Sequence, residues 1–195
     1  AREGGVCHRL DTFTSGAVIA ARSPAAWTTM RRLFREGWVK KTYLAVVCGE
    51  PAQDRFEVTL PLLPAPGQDR KRRMIVAETP AQVYHPEALD AQTEFVVLAR
   101  GDGVALIRAQ TESGRRHQVR AHLASVGLPI LGDELYGAPP AETLSAADLE
   151  GYFLHADSVS FPALDRTGQP HANQRTTVNA PLPAQRQNLV DRLFP

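Results

Sequence analysis

Apolar positions along the chain change period several times, and each change marks an element. Ala17-Val18-Ile19-Ala20-Ala21 is a continuous apolar run of strand length behind the turn-forming Thr14-Ser15-Gly16, which predicts a strand over about 17–22. Ser23-Pro24 then places an N-cap and a first-turn proline before a helix from Ala25 to Glu36 that Gly37 stops. Trp27, Met30, Leu33 and Phe34 share its apolar face, and Arg31, Arg32 and Arg35 look outward. Residues 39–48 read as a strand, with Val39, Lys41, Tyr43, Ala45 and Val47 on one face and Lys40, Thr42, Leu44, Val46 and Cys48 on the other.

The proline-rich stretch over 50–90 holds short strands near 55–60 and 73–78. Between them, 67–73 has no apolar anchor and reads as an exposed, mobile basic loop. Residues 91–100 and 104–110 form a hairpin through Gly101-Asp102-Gly103. A helix is predicted over 115–126, capped by Ser113 and stopped by Gly127, with Val119, Leu123 and Val126 buried. Arg120 lies at the margin of that stripe, where a guanidinium reaching inward needs an acidic partner. A short strand or turn at 129–131, a short helix over 145–149, a strand over 153–161 and a closing helix over 182–193 complete the pattern. The expected class is α+β, a mixed and largely antiparallel sheet flanked by helices.

At 195 residues, 43% hydrophobic and 22% charged, the chain suits one well-buried domain over 1–195. The net charge of +1 does not announce a nucleic-acid binder, so the distribution of charge carries the information. Arginines cluster at 31–35, 70–73 and 115–120, where they could track a phosphate backbone. Two cysteines without ligand spacing suit reduced thiols in a cytoplasmic protein. No apolar run reaches bilayer length and no charged-then-apolar leader opens the chain, so the expectation is a protein without a membrane partner. With no obvious exposed apolar patch, a monomer is the default.

The stretch Cys7-His8-Arg9-Leu10-Asp11-Thr12-Phe13-Thr14-Ser15-Gly16 sets one carboxylate in a turn at the mouth of the sheet. Taken alone, Asp11 reads first as a turn cap, accepting main-chain N–H bonds from Phe13 or Thr14, and only second as a reactive group. Two further stretches favour chemistry: Lys40-Lys41-Thr42-Tyr43-Leu44-Ala45-Val46-Val47-Cys48-Gly49, and Ser113-Gly114-Arg115-Arg116-His117-Gln118-Val119-Arg120-Ala121-His122, followed by Gly127-Leu128-Pro129-Ile130-Leu131-Gly132-Asp133-Glu134-Leu135-Tyr136-Gly137. In this order, the three stretches resemble the RluA-type family of pseudouridine synthases, which isomerise uridines in ribosomal and transfer RNA.

The resemblance implies the pseudouridine synthase fold, no cofactor and no metal. It assigns Asp11 as the reactive carboxylate, Arg120 as its bidentate partner, and Tyr43 as the ring that stacks on the target base and assists proton transfer from its carbon. The base must be flipped out of its helix or loop, which points to Arg9 as the side chain that fills the gap, with His8 nearby. Arg70, Lys71, Arg72, Arg73, Arg115 and His117 are candidates for contacting structured rRNA or tRNA; His122, His155 and Asp157 are expected to be structural. The family carries an additional strand and a Lys-Pro turn upstream, so an N-terminal region is expected to be missing from this chain. Two competing readings are an inactive synthase-like module that only binds RNA, and a metal-dependent phosphodiesterase built from His8, Asp11, His117, His122, His155 and Asp157. Against the second, His117 and His122 are five residues apart, unlike the four-residue spacing of a helical zinc pair.

Overall fold

The computed structural model describes residues 5–139 and 149–195, without the side chains of Arg70, Lys71 and Ala172. From the Asp11 turn the chain enters β1 (Ser15–Gly16), rises into α1 (Pro24–Arg35) and returns as β2 (Lys40–Cys48). Next come β3 (Arg55–Val58), the two-stranded β4 (Leu62–Pro64) and β5 (Met74–Val76), and the single-turn α2 (Pro80–Val83). The hairpin β6 (Thr93–Gly101) and β7 (Val104–Thr111) leads to α3 (Gln118–Ser125), and β8 (Leu154–Leu164), β9 (Pro170–Asn179) and α4 (Ala184–Leu193) close the chain.

Seven strands form one sheet, six in the spatial order β1, β8, β2, β7, β6, β3 and the seventh, β9, beside β8, all antiparallel neighbours except the parallel pair β1 and β8. The long β8 gives one edge to β2, so β1 and β9 must share its other edge, at His155–Ala156 and at Ser158–Leu164 respectively. This is the expected α+β class with a mixed, largely antiparallel sheet. The alternation along β2 explains its burial on both faces. Ala45 and Val47 join Phe95, Ile107, Ala109, Val119 and Leu123 under α3, while Val46 and Cys48 join Leu131, Phe153 and Leu189 under α4. At the other end of the sheet, Met30 and Leu33 of α1 pack with Val39 and Val159.

Ser23 caps α1 as patterned, its hydroxyl accepting from Ala26 N at 3.2 Å. The strand expected over 17–22 is absent. Only Ser15 and Gly16 pair with β8; the apolar run then lies against residues 5–7, through Cys7 N to Ile19 O at 2.9 Å and Ala21 N to Gly5 O at 2.8 Å. Ala17, Ile19 and Ala21 face the α1 core while Val18 is exposed, so a run that reads as two-sided burial is buried on one side. Residues 67–71 form a 3-10 turn that Asp69 O closes by accepting from Arg72 N and Arg73 N, where an unanchored loop was expected.

The third helix starts at Gln118, three residues later than its pattern suggests. His117 takes a left-handed backbone conformation (φ 54°), which no helix interior accommodates. Ser113 does not cap it but donates its hydroxyl to Gln118 Oε1 at 2.9 Å, and Val126 is exposed. The strands β4 and β9 were not anticipated: β4 is three residues long, and β9 is polar and covers an edge, so neither carries an apolar alternation. The helix expected over 145–149 falls, apart from Leu149, outside the described residues.

Candidate active site

The turn bearing Asp11 is closed by its main chain, with Thr14 N donating to Asp11 O at 2.9 Å, so the carboxylate is not spent on capping. The loop is fastened at several points. His8 Nε2 accepts from Ile19 N at 3.0 Å, Arg186 Nη2 donates to Phe13 O at 2.8 Å, and Thr14 Oγ1 shares a hydrogen bond with Tyr152 Oη. His155 donates from Nε2 to Ala180 O and so leaves Nδ1 to accept from the Ser15 hydroxyl at 2.8 Å. Gly16 completes the anchor: its φ is 115°, and a Cβ there would lie 2.2 Å from Ala156 O. Only glycine lets the loop lie flush on β8.

Arg120 faces Asp11 across the cleft, but the expected bidentate pair is not the one formed. The guanidinium fork goes to Asp133, from Nε to Oδ2 at 2.6 Å and from Nη2 to Oδ1 at 2.8 Å. The remaining Nη1 lies 3.7 Å from Asp11 Oδ2. The rings of Tyr152 and Tyr136 flank the guanidinium, their centroids 4.3 Å and 5.0 Å from its central carbon. Asp133 and two tyrosines therefore fix the plane of Arg120, and one N–H edge is left for Asp11. Asp133 was missed as a site residue at the sequence level; its signal lay in Gly132-Asp133-Glu134, within reach of an arginine that needed an acid.

Burial raises the pKa of Asp11, and the charges of Arg120, Arg9 and Arg116 pull against that rise. The result is a carboxylate more basic than a solvated one, held beside a cation that keeps it oriented. Opposite Tyr43 the register of β8 shifts, Thr42 pairing with Ser158 and Tyr43 with Ala156, so the extra residue Asp157 bulges β8 while β2 stays in regular register with β7. Burial, and then the charge of Asp11, push the Tyr43 phenol above the usual tyrosine range, so the hydroxyl keeps its proton at neutral pH.

Asp11, Tyr43 and Arg120 line one cleft of about 440 Å³, between the Asp11 loop, α1, β2 and the start of α3. Arg9, Arg115 and His117 line the same cleft, Arg9 and Arg115 being exposed at its rim. A neighbouring cleft of about 610 Å³ shares Arg9, Asp11, His117 and Arg120 and adds Arg72 and Arg116. Arg73 lies over the Tyr136 ring, 5.5 Å from its centroid. Gln118 ties the rim to the sheet. Its amide donates to Gln92 O, Thr93 Oγ1 and Thr111 Oγ1, and its Oε1 accepts from Ser113 Oγ and Arg115 N.

His117 shares a 3.0 Å hydrogen bond with Tyr136 Oη, and burial brings its pKa down to about 4. His122 uses both ring nitrogens, on Thr93 Oγ1 and Leu60 O, as His155 does on Ser15 and Ala180. With both ring nitrogens of His122 and of His155 bonded within the protein, and no convergent set of His, Cys, Asp and Glu side chains among the described residues, the arrangement does not favour the phosphodiesterase reading.

The family model described as RNA pseudouridylate synthase matches residues 1–125. The dual-specificity RNA pseudouridine synthase RluA of Yersinia pestis is 38% identical over 140 residues, covering 71% of this chain and 64% of that protein. Its Escherichia coli (strain K12) counterpart is 36% identical over 159 residues, 80% of this chain and 67% of that protein. The chain thus spans about two thirds of the length of these relatives. In structure, human RNA pseudouridylate synthase domain containing 4 superposes with a TM-score of 0.74 at 26% identity, covering 96% of this chain and 75% of that one. The matched residues include the Asp11 loop, the β2 tyrosine and the α3 arginine that the fold gathers around one cleft, and the chain belongs to the RluA-type branch of the RNA pseudouridylate synthase family.

Proposed function

We propose that this chain isomerises a specific uridine to pseudouridine in structured ribosomal or transfer RNA, as a single catalytic domain working in the cytoplasm without metal or cofactor. The observation that carries the reading is the convergence of Asp11, Tyr43 and Arg120 on one cleft, with Asp11 paired to a clamped arginine. In this reaction the bond from uracil N1 to ribose C1′ breaks, the base turns, and C5 bonds to C1′ while its proton leaves and N1 gains one. Asp11 acts at the ribose as the reactive carboxylate, and the edge of Arg120 holds it in line and balances its charge.

Tyr43 is the platform on which the flipped base stacks, and because its phenol is protonated it relays the C5 proton only by passing its own onward. Arg9 enters the gap that the base leaves, and the exposed Arg72, Arg73, Arg115 and Arg116 meet phosphates. The match to RNA pseudouridine synthases supports RNA as the substrate. Among the described residues no helix is long and apolar enough to cross a membrane.

The test is tritium release from ribosomal and transfer RNA transcripts carrying [5-³H]uridine. The wild-type chain is expected to release tritium at a defined site, and Asp11→Asn is expected to release none while melting no lower than wild type, because removing a buried carboxylate whose pKa is raised relieves a folding cost at neutral pH. RNA binding by the wild type without release would overturn the reading in favour of an inactive binding module.

A further inference from the structure

Lys41 lies on the same face of β2 as Tyr43, two residues earlier, and lines the same cleft. It is only 4% exposed. Its ammonium donates to Ser113 O at 2.5 Å and lies 5.8 Å from the centroid of the Phe34 ring. Gly114 leaves it room, since a Cβ there would stand 2.7 Å from Nζ. Among the described residues no carboxylate pairs with it; the nearby Glu112 is taken by Lys40 at 3.4 Å. An ammonium carries three donors, and Ser113 accepts from one. A buried cation with open donors at a substrate cleft calls for an acceptor that arrives with the substrate.

Two acceptors are available on RNA, a phosphate and a base carbonyl. Phosphates suit the rim, where Arg9, Arg115 and Arg116 are exposed. Lys41 lies at the sheet, in line with the ring of Tyr43. Ala156 of β8 takes Gly16 of the Asp11 loop on one side and Tyr43 on the other, whereas Lys41 pairs with Thr111 beside Ser113, so the order along β2 from the Asp11 loop is Tyr43 and then Lys41, roughly 6–7 Å apart. A uracil stacked on Tyr43 with its sugar at Asp11 has Lys41 as the next cleft-lining side chain along β2.

We propose that Lys41 donates a hydrogen bond to a carbonyl oxygen of the target uracil, selecting uracil against cytosine and stabilising the negative charge the base acquires when it leaves the ribose. This rests on the uridine isomerase reading above. When the N1–C1′ bond breaks, its electron pair stays with the base and spreads over N1 and the carbonyl oxygens. C5 then bonds to C1′, the C5 proton leaves and N1 is protonated. Lys41 keeps its three protons throughout, and its hydrogen bond strengthens only as the charge develops, so it acts on the transition state more than on binding. Cytosine would present amino N–H groups where uracil presents an oxygen, setting donor against donor.

Burial, and then the charge of Arg115, bring the pKa of Lys41 down to about 8. The groups facing it are the Ser113 carbonyl, the Phe34 ring, Arg115, and His8, which the charge of Lys41 helps to keep neutral. The activity supplied by Lys41 is thus lost as pH rises through about 8.

The test uses [5-³H]uridine ribosomal and transfer RNA transcripts, with wild type, Lys41→Met and Lys41→Arg. Lys41→Met is expected to lower kcat on the order of 10²-fold with little change in KM. Lys41→Arg is expected to keep more activity and to lack the wild-type fall near pH 8, a comparison that decides the matter even if Lys41→Met does not fold. Transcripts with cytidine at the modified position should bind wild type more weakly than the uridine form and bind Lys41→Met equally well. Release by wild type with Lys41→Met within threefold of it, or a loss confined to KM and steepened by salt, would overturn this proposal alone. No release by wild type would overturn the isomerase reading with it.

Discussion

Asp133→Ala isolates the arginine on which the site turns, and its cost follows from the geometry. Asp133 is 2% exposed and Arg120 5%, joined by hydrogen bonds of 2.6 Å and 2.8 Å. The substitution leaves a buried guanidinium whose nearest remaining carboxylate is Asp11, 3.7 Å away. That attraction exists in the wild type already, so it offsets nothing. Stranding one member of a buried ion pair costs about 3–5 kcal/mol, a large part of the ~5–15 kcal/mol that keeps a domain folded. For a chain of this size it corresponds to a fall in Tm of roughly 6–20 °C. In urea, the midpoint should drop with the slope unchanged. Activity should fall as well, because the flanking tyrosine rings alone no longer fix the direction in which Nη1 points. The decisive control is Arg120→Met in the Asp133→Ala background, which removes the stranded charge and is expected to be more stable than Asp133→Ala alone. A single variant within about 1 kcal/mol of wild type, or a double variant no more stable than the single, would refute the reasoning.

Gly16→Ala should lower Tm and activity together, because its Cβ would meet Ala156 O at 2.2 Å and lift the Asp11 loop off β8; unchanged melting and tritium release would count against that anchoring. Stability should also decline on mild acidification. Burial lowers the pKa of both His8 and His117 from 6.5 to about 4, so between those values the unfolded chain binds protons that the folded chain refuses. Their contribution is intact above pH 6.5 and falls as pH drops towards 4, by up to about 1.4 kcal/mol per pH unit for each histidine. Urea midpoints measured from pH 7 to 5 should decline, less steeply in His8→Gln, and a flat profile would contradict the buried neutral histidines.

Much of the fold was legible in local pattern because local physics decides it. The Ser23-Pro24 start of α1, the two-faced alternation of β2 and the Gly101–Gly103 hairpin each depend on residues adjacent in sequence. The apolar run over 17–21 misled because a continuous hydrophobic stretch does not say how many of its sides are covered, and the start of α3 was misplaced because nothing local announces a left-handed His117.

The sequence by itself determined the chemistry available at the site: a carboxylate in a turn, a tyrosine on a strand, an arginine on the margin of a helix, and arginines enough for a phosphate track. Only the tertiary structure decided how they are partnered. Arg120 gives its fork to Asp133 and a single N–H edge to Asp11, and Lys41, patterned as one more strand position, ends as a buried cation beside Tyr43. The physical reason is that partnering depends on distances across the sheet between residues far apart in sequence, and on burial, which sets what each charge costs and which neighbour must answer it.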